Sequence, residues 1–437
     1  MSQWKKVKIG DFLKRKRVPV VLDERTKYKL VTVRLYHKGI ILREEKLGSL
    51  IKSNMYKVSK GDFILSGIDA RNGAFGIIPE ELDGAIVTND FWYFDIDESI
   101  IKREYFLWLT STPVFLNACQ KASKGETQRI RLQKEAFFDY EINCPTVEYQ
   151  DDFLSKIIPV INKIEEVKKQ TDQQLEYTKL LRQNILQDAI EGKLTADWRK
   201  SHPVINGNPD YDAEALFEKI QKEKASDNKQ KQLSPITDEE KPFEIPEGWK
   251  WVRLGELCNF GICQNIEPDS LKPDDWILDL EDIEKDTGRI ISIRTFSENN
   301  SQSTKHVFYK GFVLYSKLRP YLNKVVIVPK NGYCTSEILP LDFGVYNNSR
   351  YMQITLMSPY FVNYTTRLSY GMKMPRLGTN DGKIACIPLP PLKEQEEIVN
   401  KVESLLAKVT ELENQIQERR TLSEKLAFGI IKEKLEG

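Results

Sequence analysis

One sequence unit occurs twice in this chain of 437 residues. The repeat begins where Gln3–Asp11 returns as Gly248–Glu256, with a tryptophan at the second position of each segment. The remaining matches keep their order at offsets close to 245 residues: Lys60-Gly61 with Lys310-Gly311, Ser111–Asn117 with Met357–Asn363, Ser123 and Gly125 with Ser369 and Gly371, Pro145–Gln150 with Pro390–Gln395, and Glu191-Gly192 with Glu436-Gly437. A period of this length is typical of a duplicated domain and not of a short-repeat solenoid. Residues 3–192 and 248–437 are therefore two copies of one unit.

Each copy divides into a mixed globular part and a long helix. Short apolar runs bounded by turn residues predict strands at Phe63–Leu65, Gly76–Ile78, Ala85–Val87, Phe91–Phe94, Val313–Tyr315 and Val325–Val328. The stretches 103–121 and 349–368 predict helices, with Pro113 and Pro359 at positions where a helix proper can begin. We therefore predict an α+β protein with two mixed α/β domains.

The end of each copy carries apolar residues at alternating steps of four and three, which is typical of a coiled-coil helix. The predicted seam contains Ile157, Ile164, Leu181 and Ile185 in the first copy, and Ile398, Val402, Leu405, Val409, Leu412, Ile416, Leu426 and Ile430 in the second. Polar residues interrupt the seam at matching places in both copies. Helices of ~40 residues would each be ~60 Å long.

Each long helix needs a partner to cover its seam. The simplest arrangement pairs the two helices of one chain as an antiparallel intrachain coiled coil, which gives the duplicated chain an approximate two-fold axis. The two globular parts would then lie at opposite ends of a stiff rod. The alternative is a coiled coil between the helices of two chains.

Composition limits the class of protein. Lys plus Arg total 65 against 64 for Asp plus Glu, so the chain is neither a polycation nor an acidic disordered protein. Six scattered cysteines without a CxxC pair and three histidines argue against a zinc cluster and fit a reduced, cytoplasmic protein. No apolar run approaches the ~18 residues that span a bilayer, and the polar first residues do not resemble a signal peptide.

The charges are distributed unevenly. Residues 1–60 carry 17 Lys/Arg against 5 Asp/Glu, including the cluster Lys14–Arg17. Such density suits a phosphate backbone, although a solvated surface face explains it equally well. Residues 195–245 carry 8 Lys/Arg against 11 Asp/Glu and several turn formers, which predicts a linker with at most one short helix near Ala213–Lys224.

The predicted organisation follows from the repeat and the linker. Its segments are a first globular domain at 1–148, a first long helix at 149–194, a linker at 195–245, a second globular domain at 246–393 and a second long helix at 394–437. B-DNA has a local two-fold axis at every base pair, and dimeric readers place two elements about one helical turn apart, ~34 Å. A fused pseudo-dimer with two different heads would suit an asymmetric DNA site in two parts. The alternative is a coiled-coil scaffold whose two heads bind proteins or peptides.

Several motifs resemble those of one known family. Pro390–Ile398, with the sequence PPLKEQEEI, resembles the start of the conserved helix in specificity subunits of type I restriction–modification systems. Ile245–Gly255 resembles the start of that family's second recognition domain, and Leu181–Leu194 resembles the end of its first long helix. The resemblance covers the whole chain, in order and in duplicate. One departure is at 144–150, where CPTVEYQ replaces the usual PPLxEQ pattern.

The resemblance implies a role in phage defence as the sequence-reading part of a larger complex. Each globular part would be a target recognition domain for one half of a bipartite DNA site. The long helices would set the spacer and dock two methyltransferase subunits, which would carry S-adenosylmethionine and methylate adenine. Motor–nuclease subunits would add translocation and cleavage driven by ATP and Mg²⁺. This chain would carry no cofactor.

The residues themselves agree with a non-catalytic protein. There is no GxxxxGK[ST] phosphate loop. The closest approach to the Asn/Asp-Pro-Pro-aromatic motif of adenine methyltransferases is Asn208–Tyr211, where Asp210 replaces the second proline. We interpret that string as a turn in the acidic linker.

Candidate DNA contacts are polar and basic residues on loops at equivalent places in the two copies, because Arg, Lys, Asn and Gln read bases while Lys, Arg, Ser and Thr bind phosphates. They are Lys38, Arg43, Ser66, Arg71, Asn72, Lys124, Thr127, Gln128 and Arg129 in the first copy, and Lys317, Arg319, Tyr321, Asn323, Lys324, Lys373 and Arg376 in the second. For each of them an ordinary surface salt bridge is the competing interpretation. Residues that recur in both copies, such as Ser123 and Ser369, should maintain the fold, whereas readout residues should differ.

Overall fold

The computed structural model describes residues 4–110, 112–124, 131–225, 233–299 and 302–436. The chain forms two compact units. The first contains Met1–Val167 and Leu422–Gly437, and the second contains Lys168–Thr421. We call residues 4–145 the first domain and residues 250–389 the second domain.

Within the described residues the structure contains strands and helices throughout both copies. The strands are β1 (Trp4–Lys8), β2 (Leu13–Lys16), β3 (Pro19–Val20), β4 (Lys27–Val33), β5 (Ile40–Leu47), β6 (Met55–Lys57), β7 (Phe63–Ser66), β8 (Phe75–Ile77), β9 (Ile86–Val87), β10 (Phe91–Ile96), β11 (Ser123–Lys124), β12 (Arg131–Leu132), β13 (Glu141–Pro145), β14 (Lys250–Arg253), β15 (Asn265–Ile266), β16 (Trp276–Leu278), β17 (Arg294–Thr295), β18 (Lys305–Phe308), β19 (Val313–Ser316), β20 (Val325–Ile327), β21 (Gly332–Thr335), β22 (Ile338–Leu341) and β23 (Cys386–Leu389). The α-helices are α1 (Ile9–Phe12), α2 (Arg103–Thr110), α3 (Pro113–Lys121), α4 (Lys134–Phe138), α5 (Val147–Ile190), α6 (Ala196–Ser201), α7 (Ala213–Ala225), α8 (Leu254–Leu257), α9 (Phe296–Asn299), α10 (Ser349–Met357), α11 (Pro359–Leu368), α12 (Thr379–Lys383) and α13 (Leu392–Glu436). None of the helices in the described part of the chain combines the length and the apolar character required to cross a membrane.

The two domains share the topology of one five-stranded sheet and of three strands in a smaller sheet, which has a fourth strand, β2, in the first domain. A five-stranded sheet has the order β3-β6-β9-β4-β5 in the first domain and β15-β18-β21-β16-β17 in the second. Each of these sheets contains one parallel pair, β4 with β9 and β16 with β21, at the same place in the order. A smaller antiparallel sheet contains β10-β7-β8 in the first domain and β22-β19-β20 in the second. The duplication and the α+β class predicted from the sequence are therefore confirmed in the fold.

The predicted helical stretches 103–121 and 349–368 each form two consecutive helices. The break lies before Pro113 and Pro359, which occupy the first turns of α3 and α11. Proline is tolerated there because its missing N–H would have no intrahelical acceptor in a first turn. The Ser358 side chain caps α11 by accepting a hydrogen bond from the Phe361 backbone N–H. All six predicted strands are also found in the structure.

A buried glutamine has the same role in both copies. The Gln150 side chain accepts a hydrogen bond from the Lys102 backbone N–H at 2.7 Å and donates one to the Pro145 carbonyl at 2.9 Å. Gln395 does the same with the Asn348 N–H at 2.9 Å and the Pro390 carbonyl at 3.0 Å. Both side chains are inaccessible to solvent. Although residues 144–150 depart from the family pattern, the glutamine that joins the domain to its long helix is retained.

The long helices α5 and α13 run antiparallel within the second unit. Arg182 of α5 bonds to Glu413 of α13 at 2.7 Å, while the earlier residue Asp172 pairs with the later residue Arg420 at 2.8 Å. Many residues at the heptad positions of α5 and α13 are partly or fully buried. They are Phe153, Ile157, Ile164, Thr171, Thr178, Ile185, Ile398, Val402, Leu405, Val409, Ile416 and Ile430. The antiparallel intrachain pairing predicted from the heptads is therefore confirmed.

Three residues of the predicted seam are exposed, namely Leu181, Leu412 and Leu426. At the first two positions the neighbouring residues Arg182 and Glu413 form the contact between the helices, so the leucines face outward. The heptad pattern is therefore wrong at these three positions, and at Leu181 and Leu412 polar residues next to the seam make the contact in place of apolar ones.

The segment 195–245 is more ordered than a linker. Its described residues, 195–225 and 233–245, contain two α-helices, α6 and α7, whereas the sequence predicted at most one. Leu216 and Ile220 of α7 are buried in the apolar core of the second unit, together with Trp249 and Val252. The acidic composition concealed this packing because only a few apolar residues, spaced one helical turn apart, carry it.

Candidate nucleic-acid interface

In the first domain the predicted loop after β7 contacts the turn between β4 and β5. This loop, residues 66–73, contains a 3-10 turn at Ala70–Asn72 and closes at Gly73, whose φ of 76° is in the left-handed region that suits glycine. The Tyr36 backbone N–H donates to the Asn72 carbonyl at 2.9 Å, and the His37 N–H donates to the Gly73 carbonyl at 3.0 Å. Lys38 is exposed in the same turn. The structure thus brings Lys38 close to Arg71 and Asn72, which are 33 or more residues away in sequence.

The strand pair β11–β12 lies beside the same loop. The Leu132 backbone N–H donates to the Gly67 carbonyl at 2.8 Å, and the Gln120 side chain donates to the Arg71 carbonyl at 3.4 Å. Lys124 is exposed at the end of β11, opposite Arg131. The predicted contacts Thr127, Gln128 and Arg129 lie outside the described residues.

The candidates of the first domain differ in their surroundings. Ser66 is buried, and its hydroxyl accepts hydrogen bonds from the backbone N–H groups of Ile68 and Asp69, so it shapes the loop. The Nε atom of Arg71 is buried and has no hydrogen-bond partner among the described residues. Arg43 is exposed on β5, where its side chain lies 3.8 Å from that of Glu44.

The basic cluster Lys14–Arg17 is largely occupied by contacts within the first domain. Lys16 pairs with the buried Asp62 at 2.6 Å, and Arg17 donates to the Tyr56 hydroxyl at 2.6 Å. The Arg15 guanidinium lies 4.7 Å from the centre of the Trp92 ring, a cation–π distance. Three of the four cationic side chains in this cluster therefore make contacts that hold strands of the first domain together.

In the second domain two predicted loops also come together. The loop after β19, residues 316–324, contains a 3-10 turn at Pro320–Leu322. The second hairpin, residues 370–376, is closed by reciprocal backbone hydrogen bonds between Tyr370 and Arg376 at 2.9 and 3.1 Å. The Arg319 N–H donates to the Pro375 carbonyl at 2.7 Å, which fixes the hairpin on the loop.

Several candidates of the second domain have structural contacts. Arg376 forms a forked ion pair with Glu337, at 2.9 Å from its terminal nitrogen. The Asn323 side chain donates to the Met357 carbonyl at 3.1 Å. Lys324 donates to the Leu280 carbonyl at 2.6 Å, and burial lowers the pKa of its ammonium group. These three side chains hold the loops in place.

Other candidates in the second domain remain available for a ligand. Tyr321 and Lys373 are exposed, and Lys317 is partly exposed. Arg319 adopts left-handed backbone angles, with φ of 49°, and its Nε atom is buried without a hydrogen-bond partner in the described part of the chain. Both domains therefore carry, on the loop that follows equivalent strands, an arginine whose buried Nε has no hydrogen-bond partner among the described residues, namely Arg71 and Arg319.

A comparison with known protein families matches this architecture. The family described as "Type I restriction modification DNA specificity domain" matches residues 1–177 and, separately, residues 246–419. The chain belongs to this specificity family. The two matched regions coincide with the two copies of the repeat. The DNA-recognition function predicted from the sequence agrees with this family, and the protein-scaffold alternative does not.

Individual relatives support the same assignment. The type I restriction enzyme EcoDI specificity subunit of Escherichia coli is 27% identical over 347 residues, which cover 79% of this chain and 72% of that protein. The EcoAI specificity subunit of Escherichia coli is 24% identical, over 70% of this chain and 60% of that protein. A chain from a solved structure, described as the structural basis of complex assembly and conformational transition of the type I R-M system, superposes with a TM-score of 0.67 at 17% identity. That superposition covers 99% of this chain and 98% of the other, and it shows that the fold is shared.

Sequence reasoning missed several residues at these specificity-domain surfaces. Tyr36 and His37 have positive φ angles and hold the β4–β5 turn against the candidate loop of the first domain. Partial desolvation lowers the pKa of the His37 imidazole from its ordinary value. Tyr370 and Met372 are exposed on the hairpin of the second domain. The available sequence signal was a pair of large apolar residues flanking Gly371 in a loop, where a solvated turn would carry polar residues.

Proposed function

We propose that this chain is the DNA-recognition subunit of a type I restriction–modification complex. Its first domain reads one half of an asymmetric bipartite target, and its second domain reads the other half. The chain itself is non-catalytic. The observation that carries the proposal is the double match to a DNA specificity family on two domains whose five-stranded sheets have the same strand order.

The difference between the candidate loops supports reading of two different half-sites. The loop after β7 offers Arg71 and Asn72, whereas the equivalent loop after β19 offers Lys317, Arg319 and Tyr321. Base edges in the major groove present distinct patterns of donors and acceptors, so different side chains select different bases. Two half-site readers on one chain also act at high effective concentration on a single DNA molecule.

The long helices support a second role in this proposal. They set the distance between the half-sites and dock two methyltransferase subunits. Large apolar side chains that remain exposed on these helices, Tyr177, Leu180, Leu181 and Leu412, suit a helical protein partner. S-adenosylmethionine would be bound by the methyltransferase subunits, and ATP with Mg²⁺ by motor–nuclease subunits, with no cofactor on this chain.

The test is to co-express the chain with the methyltransferase encoded beside it and to map methylated adenines by single-molecule sequencing. We expect methylation at one motif made of two short half-sites separated by a fixed spacer. Arg71→Ala combined with Asn72→Ala should relax or alter one half-site only, whereas Lys317→Ala combined with Arg319→Ala should alter only the other.

Lys52→Ala is a matched control, because Lys52 is an exposed lysine of the first domain outside the candidate loops. It should leave the motif unchanged. An active methyltransferase that forms a stable complex with the chain but modifies no bipartite motif would contradict the proposal.

A further inference from the structure

The hairpin of the second domain ends in apolar side chains that contact no core. Met372, at its tip, is fully exposed, and the flanking Tyr370 and Met374 are 64% and 49% exposed. Tyr321, on the neighbouring loop, is 47% exposed. Exposed apolar side chains that lie together on one surface are typical of an interaction site.

The backbone holds this tip firmly. Tyr370 and Arg376 close the hairpin with two hydrogen bonds, and the forked Arg376–Glu337 ion pair fixes its base. The Arg319 N–H bonds to the Pro375 carbonyl, and the Leu377 N–H bonds to the Lys317 carbonyl at 2.9 Å. The apolar tip is therefore presented in a defined position, at little further entropic cost on binding.

Positive charge surrounds the tip. Lys373 lies within the hairpin turn, and Lys317 and Arg319 lie on the loop to which the hairpin is bonded. The Arg319 side chain also reaches the Lys373 carbonyl at 3.4 Å, which brings the two basic residues together. Cations around an apolar centre match a DNA groove, in which phosphates flank apolar and polar base edges. They do not match an apolar protein surface.

Resting on the function proposed above, we propose that Met372 contacts the C5-methyl group of a thymine in the half-site read by the second domain. The thymine methyl group is the apolar feature of the major groove, and apolar side chains recognise it by contact. Lys373 binds a flanking phosphate, and Lys317 and Arg319 remain the base-reading candidates of the neighbouring loop. In the first copy the corresponding stretch carries Glu126, Thr127 and Gln128, so that half-site is selected through polar groups.

The experiment uses the complex with its methyltransferase subunits and synthetic duplexes that carry the motif found by genome mapping. Each thymine of the second half-site is replaced in turn by deoxyuridine, which removes only the methyl group. We expect one replacement to lower kcat/KM for methylation about three- to fivefold, as the loss of one buried methyl group predicts. Met372→Ala should cause a similar loss on the normal duplex and should make the complex insensitive to that same replacement.

Matched variants separate apolar contact from a general defect. Met372→Leu should retain the response to deoxyuridine, and the polar variant Met372→Gln should lose it. Val345→Ala, at another exposed apolar residue of the second unit, should change nothing. Replacements in the first half-site should have the same effect on the native and Met372→Ala complexes.

The outcomes distinguish this proposal from the one on which it rests. A native complex that methylates its motif with equal rates on all deoxyuridine duplexes, or a second half-site without thymine, overturns the Met372 contact alone. A native complex that methylates no bipartite motif overturns the recognition function, and the Met372 contact with it.

Discussion

The two domains share a scaffold and differ at the surfaces offered to a ligand. Gln150 and Gln395 make equivalent hydrogen bonds 245 positions apart, and the two five-stranded sheets have the same strand order. The loops after β7 and β19 are held by different contacts and carry different side chains. The comparison teaches that the two copies share the buried glutamine that joins each domain to its long helix, whereas their outward-facing loops differ.

One buried site distinguishes the second domain from the first. Glu394, which is 1% exposed, accepts hydrogen bonds from the Trp249 indole and the Thr195 hydroxyl, both at 2.7 Å, and pairs with Arg199. At the matching positions of the first copy, Trp4 and Tyr149 make a ring contact at 5.7 Å.

The largest effect is therefore expected for Glu394→Leu. This change should destabilise the second unit by about 3–5 kcal/mol, because it leaves a largely buried arginine and an indole N–H unpaired. Urea unfolding followed by hydrogen exchange of residues 248–257 measures the loss. Tyr149→Phe is the matched change in the first domain and should cost less than about 0.5 kcal/mol. Equal unfolding midpoints for both variants would show that the two sites do not differ energetically.

The next prediction tests what the domains share. Gln150→Leu and Gln395→Leu should each destabilise the unit that contains the residue by about 2–4 kcal/mol, because each change leaves buried backbone groups without hydrogen bonds. Urea midpoints of the two variants should fall by similar amounts. Gln173→Leu, at an exposed position of α5, is the control and should have little effect. If the urea midpoints of the two variants fall by clearly different amounts, the two domains are equivalent in strand order but not in the energetics of this glutamine.

At the candidate interface, Arg71→Ala should reduce discrimination at one base pair of the first half-site by about 1–3 kcal/mol and leave the second half-site unaffected. The reason is that an arginine side chain can bond to one guanine through two donors, whereas alanine cannot. Methylation rates on duplexes with single base-pair changes measure this effect. A uniform loss across all sequences would instead assign Arg71 to a phosphate contact.

The helix pair gives a smaller and pH-dependent effect. The hydrogen bond from Arg182 lowers the pKa of the Glu413 carboxyl from its ordinary value of 4.5. A lowered folded-state pKa stabilises the protein above the unfolded-state value, and this stabilisation is lost as the pH falls through the folded-state pKa. Arg182→Ala should cost about 1 kcal/mol at pH 7, because both side chains are only about one-quarter exposed. The difference from the native chain in urea unfolding should shrink below pH 4.5, and a constant difference would contradict this account.

The smallest effect is expected for Lys124→Ala in the first domain. If Lys124 binds a phosphate, the slope of log K against log salt should decrease by about 1 with no change in sequence preference. DNA binding by the assembled complex at several salt concentrations provides this slope, with Lys52→Ala as the control. An unchanged slope of log K against log salt would show that Lys124 does not bind a phosphate of the DNA.

Much of the fold was predictable because it depends on local patterns. Apolar runs, heptad spacing and the first-turn prolines Pro113 and Pro359 each indicate the secondary structure of the segment that contains them. The candidate loops could be found from the repeat, and the structure brings them together in each domain. The contacts of Lys16 and Arg17 within the domain could not be predicted, because their partners Asp62 and Tyr56 lie about 40 residues away in the sequence. The same limit applies to the burial of α7 and to the outward-facing Leu181.

The pairing of the first and last strands of each domain has a consequence for how new variants arise. Trp4 lies opposite Pro145 in β1 and β13, and Lys250 lies opposite Leu389 in β14 and β23. The chain therefore enters and leaves each domain at neighbouring points. A stretch of gene bounded by these strands can be replaced by a foreign one without moving the helix that follows. Under the proposed function, one such replacement changes a single half-site and leaves the long helices, with any subunit docked on them, unchanged.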